Sequence, residues 1–183
     1  METYISILRG INVSGQKKIL MTDLKALYET LGFENVSTYI QSGNVIFTTR
    51  KLLLNKDLTK KIEEAIFKKY DFDVPVIIRT GDEMEKVLAA NPLLKEKNIN
   101  VEKFHATFLE EEPSPEKIKL TRDLDYSPDK FRILGKEVYL YCPNGYGSTK
   151  LSNIFFESKL KVKATTRNWK TVNQLVVLAK TTD

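Results

Sequence analysis

The spacing of apolar positions in the first half of the chain predicts short strands that alternate with amphipathic helices. Four short runs rich in β-branched residues have the length of strands, at residues 4–8, 36–40, 45–49 and 74–79. Between them, apolar residues recur at helical spacing, first at Leu24, Leu27, Tyr28 and Leu31 and then at Leu58, Ile62, Ala65, Ile66 and Tyr70. The resulting order, β-α-β-β-α-β, is that of a ferredoxin-like subdomain.

Polar residues and glycines mark where these elements end. Thr22 is the predicted N-cap of the first helix, and Gly32 stands where a left-handed residue would end it. Residues 41–44 predict a tight hairpin turn in which Gly43 takes a positive φ. A short extra helix is predicted over residues 82–90, because an Asn-Pro pair follows it.

The second half repeats this order of elements without evident residue identity. Strands are predicted at residues 103–109, 131–134, 138–142 and 162–166, and helices at residues 113–120, around 151–155 and from Trp169 onwards. The chain is therefore predicted to be an α+β protein of two ferredoxin-like (βαββαβ) subdomains with antiparallel sheets, built by internal duplication. The first subdomain would span residues 1–93 with its extra helix, and the second would span residues 94–183 with the C-terminal helix.

Composition narrows the class of protein. The chain has 183 residues, of which 42% are hydrophobic and 29% charged, as in ordinary soluble globular proteins. Its apolar runs are too short to cross a membrane, and the residues after Met1 lack the pattern of a signal peptide. The single cysteine, Cys142, excludes an internal disulfide framework. We therefore expect a cytoplasmic protein with no membrane partner.

The net charge of +5 is unevenly distributed. Residues 130–183 hold 10 Lys/Arg and 3 Asp/Glu, a net of +7, whereas residues 94–129 hold 6 and 9, a net of −3. This basic excess would raise the local concentration of an anionic partner. The alternative is that these lysines only solvate exposed faces.

The first segment with the chemistry of an anion site lies near the start of the chain. Residues 9–18 place Arg9, Lys17 and Lys18 beside glycines that let backbone N–H groups turn towards one point. Residues 41–44 form a second Gly/Asn/Ser-rich segment of the same kind. Turn chemistry alone also explains such residues, so both interpretations remain open.

Two further segments occur in the second half. Residues 143–150 bring flexible backbone and Lys150 to the predicted start of a helix, but they lack the order and spacing of a P-loop. In residues 165–170, the guanidinium of Arg167 could bind a phosphate or carboxylate bidentately. The structural alternatives are a turn in the first case and a capping threonine at 165 or 166 in the second.

No familiar catalytic constellation is present in the sequence. His105 is the single histidine, and it falls within a predicted strand, where packing is the more frequent role. Cys142 ends an apolar strand and is expected to be an inert thiol, and the count of His and Cys excludes a metal site of those ligands. The acidic runs 110–112 and 123–125 are typical of solvated loops. Catalytic residues are therefore unknown, and enzyme activity remains uncertain.

Three motifs make the chain resemble the bacterial domain-of-unknown-function 1697 family. They are the Leu-Arg-Gly-Ile-Asn-Val-Ser-Gly run within residues 4–15, the run Tyr-Ile-Gln-Ser-Gly-Asn-Val at 39–45, and Ala-Thr-Thr-Arg-Asn-Trp at 164–169. With helices at the family's usual spacing between them, the resemblance covers essentially the whole chain. It implies two ferredoxin-like subdomains and no known catalytic activity.

These features predict a protein that binds a phosphorylated small molecule or nucleotide in a basic groove between the subdomains. The predicted ligand-binding residues are Arg9, Asn12, Lys17, Gln41, Ser42, Asn44, Lys150, Arg167 and Asn168. One alternative is sequence-tolerant nucleic-acid binding, with Trp169, Tyr146, Phe155 and Phe156 as stacking aromatics. Another is a protein-interaction module without a ligand. The cofactor and the oligomeric state are unknown from sequence.

Overall fold

Each half of the chain folds into a four-stranded antiparallel sheet with helices packed on it, as the sequence predicts. The computed structural model describes residues 1–50, 54–97, 99–122 and 124–182. The chain forms two compact units, Met1–Glu85 with Gln174–Asp183 and Lys86–Asn173. The boundary between residues 93 and 94, which separates the two sequence repeats, stays a prediction.

The first unit has the predicted order of elements. These are β1 (Glu2–Leu8), α1 (Met21–Thr30), β2 (Glu34–Tyr39), β3 (Asn44–Thr49), α2 (Asn55–Tyr70), β4 (Val76–Thr80) and the start of α3 (Gly81–Ala89), which crosses into the second unit at Lys86. The strands lie in the order β2-β3-β1-β4. Alternate residues of the sheet, including Tyr4, Leu8 and Phe47, pack with the apolar faces of α1 and α2 in one core.

The second unit repeats this plan. Its elements are β5 (Phe104–Leu109), α4 (Pro115–Arg122), β6 (Lys130–Leu134), β7 (Glu137–Tyr141), α5 (Asn153–Leu160), β8 (Ala164–Asn168) and the start of α6 (Trp169–Lys180), with short 3₁₀ helices at Pro92–Lys95, Val101–Lys103 and Tyr146–Ser148. The part of α6 from Gln174 onwards belongs to the first unit. The strand order β6-β7-β5-β8 is equivalent to that of the first unit. The predicted α+β fold of two similar ferredoxin-like subdomains is thus confirmed.

The duplication extends to a buried arginine. Arg79 lies opposite Ile5 in the first sheet, and Arg167 lies opposite Ala106 at the equivalent place in the second. Each Nη1 donates to the carbonyl of the preceding residue at 2.9 Å. Both arginines are buried, and burial lowers the pKa of Arg167 to about 10. The side chains therefore satisfy backbone carbonyls of β4 and β8, which are end strands of their sheets.

Some helix ends differ from the sequence prediction. Thr22 lies inside α1, because the N–H of Leu24 already bonds to the Leu20 carbonyl at 2.9 Å. The positive φ predicted for Gly32 is confirmed at 82°. The last helix is capped by Asn168, whose Oδ1 accepts from the N–H of Thr171 at 2.8 Å, and not by a threonine of β8.

The inner strands β1, β3, β5 and β7 are largely buried on both faces, whereas the edge strands β2 and β6 keep exposed residues such as Glu34, Arg132 and Leu134. In the first sheet, Ile5, Ile7 and Ile46 alternate with the core residues and are equally shielded from water. In the second, Phe104 and Phe108 do the same. Neither sheet therefore offers an open aromatic platform. Among the residues described, no helix combines the length and apolar character that crossing a bilayer requires.

Candidate functional site

The two glycine-rich segments of the first unit lie side by side. Because Ile7 of β1 pairs with Asn44 of β3, the end of one strand is adjacent to the start of the other. The N–H of Leu8 donates to the Gly43 carbonyl at 2.8 Å, and Nδ2 of Asn12 donates to the Gln41 carbonyl at 2.9 Å. We call residues 9–18 together with residues 40–44 the elbow surface.

The elbow surface concentrates left-handed backbone. Of the thirteen described residues with positive φ, it holds seven, namely Gly10, Asn12, Ser14, Gly15, Lys17, Ile40 and Gly43. Ile40 is the outlier among them, because a β-branched residue at a φ of 52° is sterically strained. Such strain persists only where the surrounding structure imposes it, and it clusters at functional sites.

A miniature hairpin forms the first part of this surface. Ser14 and Gly15 both have positive φ, at 50° and 75°, which is the signature of a type I′ turn. The N–H of Gln16 donates to the Val13 carbonyl at 2.9 Å, and the N–H of Asn12 donates to the Lys17 carbonyl at 3.2 Å. These two hydrogen bonds hold residues 12–17 in one defined turn.

Two of the predicted ligand residues hold the elbow surface together. Asn12 accepts from the N–H of Ile19 and donates to the carbonyls of Ile19 and Gln41, each at 2.9 Å. Asn44 is fully buried and donates to the Tyr39 carbonyl at 3.0 Å and to Oγ of Ser42 at 3.2 Å. Both side-chain amides make hydrogen bonds within the protein, so their role is to hold the elbow surface in its shape.

The side-chain charges of the elbow surface are all positive. The Lys17 side chain is already bound within the protein, because its Nζ donates to the Asp73 carbonyl at 2.6 Å and lies 6.0 Å from the centre of the Phe72 ring. Arg9 is half-buried and Lys18 is exposed. Residues 9–18 and 40–44 contain no Asp or Glu. An anion near this surface would therefore meet cations without an internal carboxylate as competitor.

The remaining predicted residues belong to the second unit. Lys150 is exposed and lines a cavity of about 320 Å³ with Asn144, Ser148, Asp125 and Asp129. Two carboxylates beside one lysine oppose the binding of an anion there. The segment also stops short of the helix, since Ser152 caps α5 by accepting from the N–H of Phe155 at 3.2 Å.

Arg167 and Asn168 both serve the local structure. Arg167 is only 8% exposed, and its guanidinium bonds to Thr165 and Thr166, while Asn168 caps α6. These two residues and Lys150 lie in the second unit and the elbow surface lies in the first. The shared groove of the sequence-based hypothesis therefore stays a prediction.

A polar cluster in the second unit was missed from the sequence. The hydroxyl of Tyr146 donates to Oγ1 of Thr166 at 3.1 Å, and that oxygen donates to Oδ1 of Asn153 at 2.6 Å. Thr107 lies 2.7 Å from the same oxygen and must donate, because the single proton of Thr166 is already used. The sequence signal that could have revealed this cluster is the pair of polar residues, His105 and Thr107, at alternate positions of β5.

His105 predicts a pH dependence of stability. Its ring stacks on Tyr146 with the centroids 4.9 Å apart, and burial lowers its pKa from the usual 6.5. The native state therefore binds fewer protons than the unfolded state below that value, so stability falls as the pH drops through about 6.5. We expect His105→Phe to lose less stability than the wild type between pH 7 and pH 5 in urea titrations. Equal losses would contradict this prediction.

Other reactive groups have structural explanations. Burial raises the pKa of the Cys142 thiol to about 11, with Asp129 adding to the effect, so the thiolate is scarce at neutral pH. Within the described ranges, no three His, Cys, Asp or Glu side chains are grouped to hold a metal. Of the acidic run 123–125, Asp123 lies outside the described residues, and Asp125 accepts from Ser127.

Comparisons with known proteins give a family and a fold. The sequence model of a family described as "Protein of unknown function (DUF1697)" matches residues 1–139, which include two of the three motifs noted above. A search of curated proteins finds no match. Among solved structures, a conserved bacterial protein from Streptococcus pneumoniae is 22% identical, with a TM-score of 0.73 and coverage of 97% of this chain and 98% of that one. At this identity the likeness shows the fold alone.

Proposed function

The chain belongs to the domain-of-unknown-function 1697 family, and we propose that it binds a phosphorylated small molecule or nucleotide through the phosphate, on the elbow surface. The observation that carries the proposal is the coincidence of left-handed backbone and clustered positive charge. Seven residues of positive φ and three cations fall within residues 9–18 and 40–44, which contain no carboxylate side chain. Glycine adopts a positive φ without strain, but at the β-branched Ile40 it is costly, and a ligand that requires the geometry would explain why it is kept.

The backbone supports the same proposal. Gly10 and Asn12 have positive φ, at 72° and 56°, whereas Ile11 between them does not. Alternation of the sign of φ turns successive N–H groups towards one side, as in the concave backbone sites that bind phosphate. Because the N–H of Asn12 bonds to the Lys17 carbonyl, the N–H groups of Gly10 and Ile11 would be the ones to contact the phosphate. Side-chain and main-chain donors would then act together, which is the usual composition of phosphate sites.

The predicted residues divide into two roles under this proposal. Arg9 would contact the phosphate, because a guanidinium matches two phosphate oxygens. Lys18 would add an exposed charge, and the side chains of Gln41 and Ser42 would offer neutral hydrogen bonds. Asn12, Lys17 and Asn44 would hold these groups in place, because their own donors are engaged with the backbone.

The aromatic residues described in the structure do not favour the nucleic-acid alternative. Of the aromatics that could have stacked bases, Trp169 and Phe156 are buried, and Tyr146 stacks on His105. Base stacking on a ferredoxin-like sheet needs aromatic side chains on an exposed face, and the inner strands of both sheets are largely buried on both faces.

Thermal unfolding in phosphate tests the proposed function. At a phosphate concentration ten times the Kd, binding adds about 1.4 kcal/mol to the free energy of unfolding. For a chain of this size that is about 3–5 °C in Tm. We expect this shift relative to chloride at constant ionic strength, and its loss in Arg9→Ala and Lys18→Ala. The matched control is Lys56→Ala, an exposed lysine of α2 in the same unit, which should keep the full shift.

Equal phosphate shifts in the wild type and in the Arg9→Ala, Lys18→Ala double variant would refute the site. The absence of any Tm shift in the wild type up to 50 mM phosphate would also refute the site, because a specific phosphate site should have a Kd below about 50 mM.

A further inference from the structure

Three aliphatic side chains at the elbow surface and its border are exposed to water. Val13 is 57% exposed, Ile40 is 45% exposed, and Leu20, which lies just beyond residues 9–18, is 68% exposed. Scattered apolar residues on a surface are ordinary, whereas several in one place indicate contact with another molecule. The position of these three relative to one another distinguishes the two cases.

The Asn12 side chain brings the three residues into one patch. It bonds to the N–H and the carbonyl of Ile19, which is the residue before Leu20. It also bonds to the carbonyl of Gln41, which is the residue after Ile40. The third aliphatic residue follows Asn12 directly in the chain. Because consecutive Cα atoms are about 3.8 Å apart, all three begin within one residue of this hydrogen-bonded group. We call Val13, Leu20 and Ile40 the aliphatic patch.

Ile40 is unfavourable at its position for two separate reasons. Its φ of 52° is strained for a β-branched residue, and nearly half of its side chain is in water. Asparagine or glycine would adopt the same φ with less strain and would expose less apolar surface. The local backbone therefore does not favour isoleucine here, whereas an apolar contact with a ligand would.

The aliphatic patch adjoins the proposed phosphate site. Val13 lies two residues after Ile11, whose N–H would contact the phosphate. Two residues of chain span at most about 7 Å, so an organic group attached to that phosphate could reach the patch. Residues 9–20 and 40–44 contain no aromatic residue, so they offer a nucleobase no ring to stack on. An aliphatic group needs only contact with other aliphatic side chains.

From this arrangement we infer that the ligand of the elbow surface is the phosphate monoester of an aliphatic alcohol, whose hydrocarbon part packs on the aliphatic patch. The inference rests on the proposed function, because the phosphate is held there as described above. It also narrows the class of ligand, since a nucleotide would occupy the phosphate site and leave the patch in water. Affinity should then rise with the length of the hydrocarbon chain.

Two phosphate esters of equal charge test the hydrocarbon contact. Methyl phosphate and hexyl phosphate are titrated separately into the full chain, and each Kd is taken from the amide NMR shifts of residues 9–18. We expect hexyl phosphate to bind about tenfold or more tightly, which corresponds to the burial of about two methylene groups. Adenosine monophosphate should bind no more tightly than methyl phosphate.

Substitutions in the aliphatic patch locate the contact. Val13→Ser with Leu20→Ser should reduce the advantage of hexyl phosphate to about twofold or less. The matched control is Leu54→Ser, because Leu54 is 62% exposed and precedes α2 in the same extended conformation in which Leu20 precedes α1. It should keep the full advantage. Ile40→Asn should reduce the advantage without lowering Tm, because asparagine tolerates left-handed backbone.

The outcomes separate this inference from the proposed function. Equal Kd values for methyl and hexyl phosphate, or tighter binding of adenosine monophosphate than of hexyl phosphate, would overturn the inference and leave the phosphate site intact. An advantage of hexyl phosphate that persists unchanged in the Val13→Ser, Leu20→Ser double variant would overturn it as well. If neither ester shifts the amides of residues 9–18, the proposed function is refuted and the inference with it.

Discussion

Replacement of Gly43 by valine is expected to lower the free energy of unfolding by about 2–6 kcal/mol. Gly43 has a φ of 79°, and a Cβ added there would lie 2.6 Å from Cδ1 of Ile11 and 2.9 Å from Cβ of Leu8. Backbone strain contributes about 1–3 kcal/mol and overpacking against these buried side chains about as much again. Urea unfolding followed by circular dichroism measures the difference.

Gly147 provides the matched control for this substitution. It is an exposed glycine whose φ is not positive, and a Cβ added there meets no heavy atom within 4 Å. Gly147→Val should therefore change stability by no more than about 0.5 kcal/mol. If Gly43→Val is equally mild, the close approach of residues 40–44 to Ile11 is not part of the native structure.

Loss of the Asn12 amide is expected to have the second-largest effect. Asn12→Ala removes three hydrogen bonds and leaves a residue poorly suited to a φ of 56°. At about 1 kcal/mol for each bond, with added strain, the expected loss is about 3–4 kcal/mol. Urea unfolding measures this loss of free energy. The phosphate-dependent shift in Tm should also disappear, because Asn12 holds the elbow surface in place.

Two conservative variants divide the role of Asn12 into its parts. Asn12→Asp keeps the acceptor for the Ile19 N–H but sets a carboxylate oxygen against the Ile19 and Gln41 carbonyls, so its loss should exceed that of Asn12→Ala. Asn12→Gly loses all three bonds but tolerates the positive φ, so it should be milder than Asn12→Ala by about 1 kcal/mol. Equal losses in Ala, Gly and Asp would mean that the amide contacts do not hold the elbow surface.

The fold was accessible from the sequence because its signals are local and repeated. Helical spacing around Leu24 and Leu58 and the strand runs between them fix the element order, and the same order recurs in the second half. Helix ends were less accessible. Thr22 is a good N-cap residue by type, but α1 begins at Met21, because burial of Leu24 and Leu27 decides where the helix starts.

The candidate site was only partly accessible, because a residue type does not reveal its partner. Lys17 and Asn168 have the chemistry of phosphate ligands, yet one donates to the Asp73 carbonyl and the other caps α6. The contact of Asn12 with Gln41 spans 29 positions and depends on the pairing of β1 with β3. The bonds of Tyr146 to Thr166 and Arg122 to Ile133 likewise depend on how loops return to the sheet.

A site-resolved titration with phosphate tests the central claim most directly. In an amide-resolved NMR titration of the full chain at constant ionic strength, the elbow-surface account predicts saturable shifts for the N–H groups of residues 9–18 and 41–43. It predicts that Arg9→Ala with Lys18→Ala abolishes these shifts while the rest of the spectrum is retained. Shifts confined to the second unit, or spread over exposed lysines without saturation, would contradict the account.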